Sequence, residues 1–395
     1  MGTVGSSVSG TRRTTIVGRL ARMGFADAAK AEKLITADLG LDPGDDRDET
    51  VLAAIAGAAD PDLALTGLAR LVGAEQGEDG ADVRATLRSE PGFRLRLIAV
   101  LGSSVGLADH LARHPGDALS LRGADGVRRP TPDELRASLV YAVGGNPLDE
   151  YPVSDLTALN GTDPSAALTA AYKRHILHLA ARDLTGVVTL DEAAAELADI
   201  AAAALCAALS VARAQLPAGS APARLAVIAM GKCGGCELNY ASDVDVIFVA
   251  GPLVAPGEEA TPEQTDAALR TATQLASAMI RICSRTTAEG LVFPVDPNLR
   301  PEGRNGPLVR TLASHLAYYD RWAKTWEFQA LLKARPAAGD MALGQEYLDA
   351  VTPLIWQAAQ RENFVEDVQA MRRRVEKTLP PDQAPREIKL GPGGL

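Results

Sequence analysis

Met230 to Val249 is the segment that most constrains this chain. Gly234-Gly235 forms a turn, and Asp243 and Asp245 follow, one residue apart, on the apolar run Val244 to Ala250. Side chains two residues apart on a strand share a face, so the two carboxylates stand about 7 Å apart along it. Paired carboxylates offer hard oxygen ligands to Mg²⁺, and a glycine turn lets backbone amides approach a phosphate closely. The pattern points to metal-assisted chemistry on a nucleotide. The competing reading is a surface turn that feeds an edge strand with two solvated aspartates.

A third carboxylate is expected from a later strand. Asp296 is the best-placed acid, because it ends the apolar run that begins at Leu291. Three such acids would hold two divalent ions around an in-line displacement at phosphorus. Lys232 lies beside the turn, where a cation suits phosphate. Arg300 follows Asp296 and is expected either to meet phosphate or to pair with Glu302 or Asp296. Glu237 and Asn239 are expected to fix the loop by hydrogen bonds.

The 395 residues predict two or three domains, and 47% apolar content is enough for sizeable cores. Only 4% is aromatic, and the abundance of Ala, Leu and Val favours helices. A net charge of −10 argues against a nucleic-acid backbone as the main ligand. Four cysteines are too sparse for a disulfide framework, which makes the cytoplasm the expected compartment. No apolar run reaches membrane-spanning length, and Arg12-Arg13 lacks the apolar core of a signal.

The expected fold is α+β and mostly helical. Residues 1–15 read as a disordered tail and 16–220 as a helical region. A mixed sheet is expected over 221–312, and 313–395 as the helical remainder of the same domain. Asp42 to Thr50 reads as a solvated acidic loop. Val51 to Val72 and Phe93 to His114 read as helices, with a polar break at Gly77 to Asp82. Thr189 and Glu192 make a capping box for a helix to about Leu216. The Pro/Gly/Ser stretch Leu216 to Pro222 is the expected domain boundary. Short strands are read at Leu225 to Ala229, Val244 to Ala250 and Leu291 to Asp296. Helices resume at Ser314 to Ala334 and Gly344 to Leu379. Tyr318, Tyr319 and Trp322 fit a core-facing stripe.

A glycine turn followed by Asp-x-Asp and a third carboxylate resembles the polymerase-β-like nucleotidyltransferases. More narrowly, Gly231-Lys232, Gly234-Gly235, Glu237-Leu238-Asn239 and Ser242-Asp243-x-Asp245 resemble the signature of the glutamine synthetase adenylyltransferase family. Leu101 to Ser104, Leu111 to Pro115, Ala180 to Leu184, Val295 to Pro301 and Trp326 to Arg335 are similar to further stretches of it. The resemblance covers residues 15–395 and implies that Asp243, Asp245 and Asp296 bind Mg²⁺ and are catalytic. It also implies that Gly234, Gly235, Lys232, Ser242 and Arg300 hold nucleotide or phosphate.

Family members carry two such domains in tandem. The long helical lead-in and single signature resemble the amino-terminal one, which removes AMP from adenylylated glutamine synthetase with inorganic phosphate, giving ADP. The alternatives are transfer of AMP from ATP, or a non-catalytic module that docks glutamine synthetase or a PII-type protein. The run Ile388 to Leu395 leads, in the family, into a further acidic strand, so the chain reads as truncated. Cys233 and Cys236 stand where family members often carry Leu and Arg. The remaining motifs have plainer expectations. The Cys233/Cys236 spacing and the His175/His178 pair are expected to be structural, and Lys333 and Arg335 are possible phosphate contacts.

Overall fold

The computed structural model describes residues 16–74, 78–255, 258–377, 379, 380, 387 and 391. The expected disordered tail and most of the expected truncation run lie outside them. The chain divides into two compact units, 1–129 with 173–190, and 130–172 with 191–395.

The first unit is helical. Its core gathers Leu65, Leu68, Leu71, Phe93, Leu97 and Leu101 with Leu177 and Ala181. The acidic stretch read as a loop opens a helix, Asp46–Ala56. Asp45 caps it by accepting from the Arg47 amide, and acids in the first turn suit the positive end of the helix dipole. Asp48 is buried and accepts from Arg88 Nε at 2.6 Å. Each long helix read here is two helices. Pro61–Ala74 follows Asp46–Ala56, and Pro91–Leu101 precedes Val105–Arg113. The helix Glu78–Ser89 occupies the expected polar break.

The second unit is built on a mixed sheet. Among the described residues its strands are β1 (Ala223–Ala229), β2 (Val244–Pro252), β3 (Val295–Asp296), β4 (Val309–Thr311) and β5 (Arg335–Gly339). Their order is β3-β2-β1-β5, with β4 also on β2. β1 pairs antiparallel with β2 and with β5. β3 and β4 run parallel to β2, β3 beside its first residues and β4 further along. The third strand is therefore shorter than its apolar run suggests. β5 carries Pro336 and a register irregularity, as an edge strand tolerates.

Both faces of the sheet are covered, so β1 and β2 read as nearly continuous apolar runs. The helix Pro262–Ser284 packs on β1 and β2. The helices Leu312–Arg321, Thr325–Leu331 and Met341–Ala359 join Ile228, Ile247 and Val249 in one core. Tyr319 and Tyr347 are buried there, with hydroxyls 2.8 Å apart. Trp322 does not join the expected stripe. It caps the helix Leu312–Arg321 at its end and is 73% exposed.

The boundary expected at Leu216 to Pro222 falls elsewhere. The helix Leu190–Ala214 belongs almost entirely to the second unit, where Cys206 Sγ contacts the Ala337 carbonyl of β5 at 3.7 Å. This helix is long and apolar enough to cross a membrane, contrary to the sequence reading, but 72% of its apolar window is buried in protein. It is a core helix of this fold.

His315 is buried in the sheet core, with Nε2 3.3 Å from the Phe248 carbonyl and Nδ1 without a partner. Burial pushes its pKa down to about 4, so the neutral form is the folded one. The unfolded imidazole titrates near about 6.5. This stability is therefore fully present above that value and is lost as pH falls toward 4. His315→Gln should flatten the slope of unfolding free energy between these pH values, by up to about 1.4 kcal/mol per pH unit. An unchanged slope in denaturant titrations would contradict the assignment.

Candidate active site

β1 ends at Ala229, and the chain turns through the short helix Gly231–Gly234 before the loop into β2. Met230 N–H donates to the Asp245 carbonyl at 2.8 Å, which ties the turn to β2. Asp245 lies directly beside Asp296 in the parallel pairing of β2 and β3. Asp243 stands just before β2. Ligand oxygens of Asp243, Asp245 and Asp296 all lie within 4.8 Å of one another. Asp243 is exposed, and the other two are half-buried. The structure thus brings together the three acids singled out from sequence.

Like charges directly opposite on neighbouring strands repel. A divalent cation would reverse that cost, and three carboxylates on one open side suit Mg²⁺, which keeps water and phosphate among its ligands. The residues present fit such an ion. Asp296 also accepts from the Asn298 amide at 2.7 Å, which orients its carboxylate.

The glycines act differently from expectation. Gly234 N–H donates to the Met230 carbonyl at 2.9 Å and Gly235 N–H to that of Gly231 at 3.0 Å. Both amides are used inside the turn instead of facing a phosphate. Gly234 is needed for close approach: a Cβ there would overlap the Lys333 carbonyl oxygen and come within 2.6 Å of that of Ala229. Sequence reasoning named Gly231 within the family signature and gave it no role. Its φ is +52°, and a Cβ would stand 2.5 Å from Asp245 Oδ2. Its positive φ is the missing signal, and sequence does not display it.

The loop after the turn is held by its own side chains. Lys232 Nζ donates to Asn239 Oδ1 at 2.9 Å, and Asn239 Nδ2 to the Ala241 carbonyl at 2.9 Å. Leu238 is buried, and Glu237 pairs with Lys333. Glu237 and Asn239 thus have the loop-fixing role expected of them. Arg335 Nη2 donates to the Cys233 carbonyl at 3.1 Å, and burial pushes the Cys233 thiol up to about 11.

Arg300 makes neither expected ion pair. Its guanidinium donates to the Pro297 and Gly306 carbonyls, at 2.8 Å from Nη1 and 3.2 Å from Nη2. Glu302 pairs instead with Arg310. Glu327 is buried and accepts from Tyr318 Oη at 2.8 Å, so the Trp326-Glu327 motif is structural here. In the helical unit, His178 Nε2 lies 2.9 Å from the Asp125 carbonyl, and burial pushes His175 down to about 4.

Lys232, Ser242 and Asp243 border an open cleft of about 560 Å³ whose remaining lining includes Leu291 to Pro294. Three acids, one just before β2, one on β2 and one on β3, thus lie beside a glycine turn and an open cleft.

The sequence comparisons decide the family. Residues 96–350 match the family described as Glutamate-ammonia ligase adenylyltransferase. The chain belongs to the glutamate–ammonia ligase adenylyltransferase family. A relative from Streptomyces avermitilis, named bifunctional glutamine synthetase adenylyltransferase/adenylyl-removing enzyme, is 52% identical over 97% of this chain and 36% of its own length. A Mycobacterium tuberculosis relative of the same name is 47% identical over 95% of this chain and 35% of its own length. The chain therefore spans about a third of these relatives. Among the described residues, Asp243, Asp245 and Asp296 form a carboxylate cluster that could hold a metal ion.

Asp296→Asn removes one repelling charge. It should raise the thermal midpoint of the metal-free chain by about 2 °C or more and abolish any further rise on adding Mg²⁺. Thermal melts with and without Mg²⁺ check this, and a Mg²⁺ response equal to that of the parent would remove Asp296 from the site.

Proposed function

We infer that this chain carries the AMP-removing centre of a glutamine synthetase adenylyltransferase. The reaction is phosphorolysis: inorganic phosphate attacks the phosphorus of a tyrosyl-AMP, the phenolate leaves, and ADP forms. The observation that carries the reading is the convergence of Asp243, Asp245 and Asp296 within 4.8 Å at the end of the β1–turn–β2 unit. The residues that would hold Mg²⁺ are these three, and bound Mg²⁺ would neutralise charge on the phosphoryl oxygens.

The rest of the catalytic work is positioning. Gly231 gives the Asp245 carboxylate its space, and Gly234 seats the turn against Lys333. Lys232, anchored on Asn239 beside the cleft, contributes positive charge for a phosphate. Ser242 lies at the same border and can donate a hydrogen bond to a phosphate oxygen. Arg300 shapes the loop after Asp296 through its two carbonyl contacts. The activities in the relatives' names support adenylylated glutamine synthetase as the substrate class.

Two assays test the reading. Asp243→Asn should lower phosphate-dependent AMP release from adenylylated glutamine synthetase on the order of 100- to 1000-fold. Release that survives the substitution sinks the assignment. Labelled ATP supplied with unmodified glutamine synthetase should leave no label on the protein. Labelling would favour the reverse direction, which the same carboxylates serve equally well in chemical terms. Binding to glutamine synthetase without turnover, unaffected by loss of Mg²⁺ and of both paired aspartates, would favour a docking module.

A further inference from the structure

We propose that Tyr240 is the aromatic platform on which the nucleobase stacks in the cleft beside Asp243. The proposal deepens the reading of the acidic cluster as a nucleotidyl-transfer centre and rests on it.

The volume is suitable. About 560 Å³ falls within the roughly 300–1,000 Å³ of small-molecule sites. The lining is divided chemically. Lys232, Ser242 and Asp243 supply its polar part, and Leu291, Val292 and Phe293 an apolar part. A nucleotide has the same division, with charged phosphates at one end and a flat ring at the other. Phosphate alone would need no apolar wall.

That wall is held in place. Val292 N–H and Phe293 N–H both donate to the Cys283 carbonyl, at 3.2 and 3.4 Å. Val295 N–H donates to Ser284 Oγ at 3.2 Å. The Phe293 ring meets the edge of Tyr172 at 5.8 Å, and burial raises the pKa of that tyrosine, so it stays neutral. Phe293 and Val292 are buried, whereas Leu291 remains 37% exposed. A rigid apolar wall recognises a rigid ring at little entropic cost.

Tyr240 is the other half of the argument. It also lines the cleft and is 44% exposed. The loop that carries it is pinned on both sides, by buried Leu238 before it and by the Asn239 bridge from Lys232 to Ala241 around it. An aromatic ring on a fixed loop, beside a cleft and near carboxylates, offers a face for base stacking. The proximity of Asp243 sets the orientation: the phosphates lie toward the acids and Lys232, and the base lies toward Tyr240 and Leu291.

The test measures binding of ADP and of tripolyphosphate, each with Mg²⁺, to the whole chain by calorimetry. Parent, Tyr240→Ala and Tyr240→Phe are compared. Tyr240→Ala should weaken ADP binding about tenfold or more and leave tripolyphosphate within about twofold of the parent. Tyr240→Phe should match the parent for both, because the ring face acts and not the hydroxyl. Unchanged ADP affinity in Tyr240→Ala overturns the proposal. So does an equal loss for tripolyphosphate, which marks a loop effect. A third result also overturns it: ADP binding intact in Tyr240→Ala, but release from the tyrosyl-AMP protein abolished. The platform would then serve the protein's own aromatic side chain. If Tyr240-dependent ADP binding persists in Asp243→Asn without Mg²⁺, the subsite stands and the metal-centre reading falls.

Discussion

Position 234 has no room for a side chain. The Lys333 carbonyl occupies the space that a Cβ would take, and Ala229 closes the other side. Both obstacles are backbone, so neither yields by a rotamer change. This contact seats the turn after β1 against the segment that enters β5. The turn in turn fixes where β2 begins, through Met230 N–H on the Asp245 carbonyl. Asp245 is then held beside Asp296 by strand register. The geometry of the acidic cluster is a consequence of sheet packing, and the glycines serve it sterically.

That arrangement carries an electrostatic cost. Three carboxylates within 4.8 Å repel wherever they are ionised together. The fold tolerates it because the cluster sits at the end of the strands, where Asp243 reaches solvent. The cores on both faces of β1 and β2 supply the cohesion that offsets it. Like-charge repulsion is thus concentrated in one corner of a well-packed sheet.

Much of this was legible. Asp243 and Asp245 announce themselves because a strand has period two, and Asp296 because it ends an apolar run. The rest failed for physical reasons. β4 is only three residues long, and β5, Arg-Pro-Ala-Ala-Gly, lacks β-branched residues altogether. Its strand character comes from pairing with β1. Asp42 to Thr50 looked like a loop because acids read as solvated, yet acids at a helix start are favourable and Asp48 is buried on Arg88. Trp322 has helical spacing from Tyr318 and Tyr319, but the helix ends there and turns it outward. The steric role of Gly231 shows only in its dihedral and its contact with Asp245.

β5 also explains why the composition break at Leu216 to Pro222 misplaces the domain boundary. Arg335 at its start bonds the Cys233 carbonyl in the turn and lies 4.0 Å from Asp199 of the helix Leu190–Ala214. Its Nε is buried without a partner. Through one hydrogen bond and one longer ion pair, this guanidinium brings together three elements that are far apart in sequence. At the far end of β5, Gly339 adopts φ +81° where a Cβ would overlap the Leu225 carbonyl. Asp340 then accepts from Arg224 Nε at 2.6 Å. An edge strand anchored at both ends thus contacts both the long helix and the sheet within one unit. The Pro/Gly/Ser stretch is accordingly a turn within one unit, and the long helix is part of the scaffold that holds the acidic cluster.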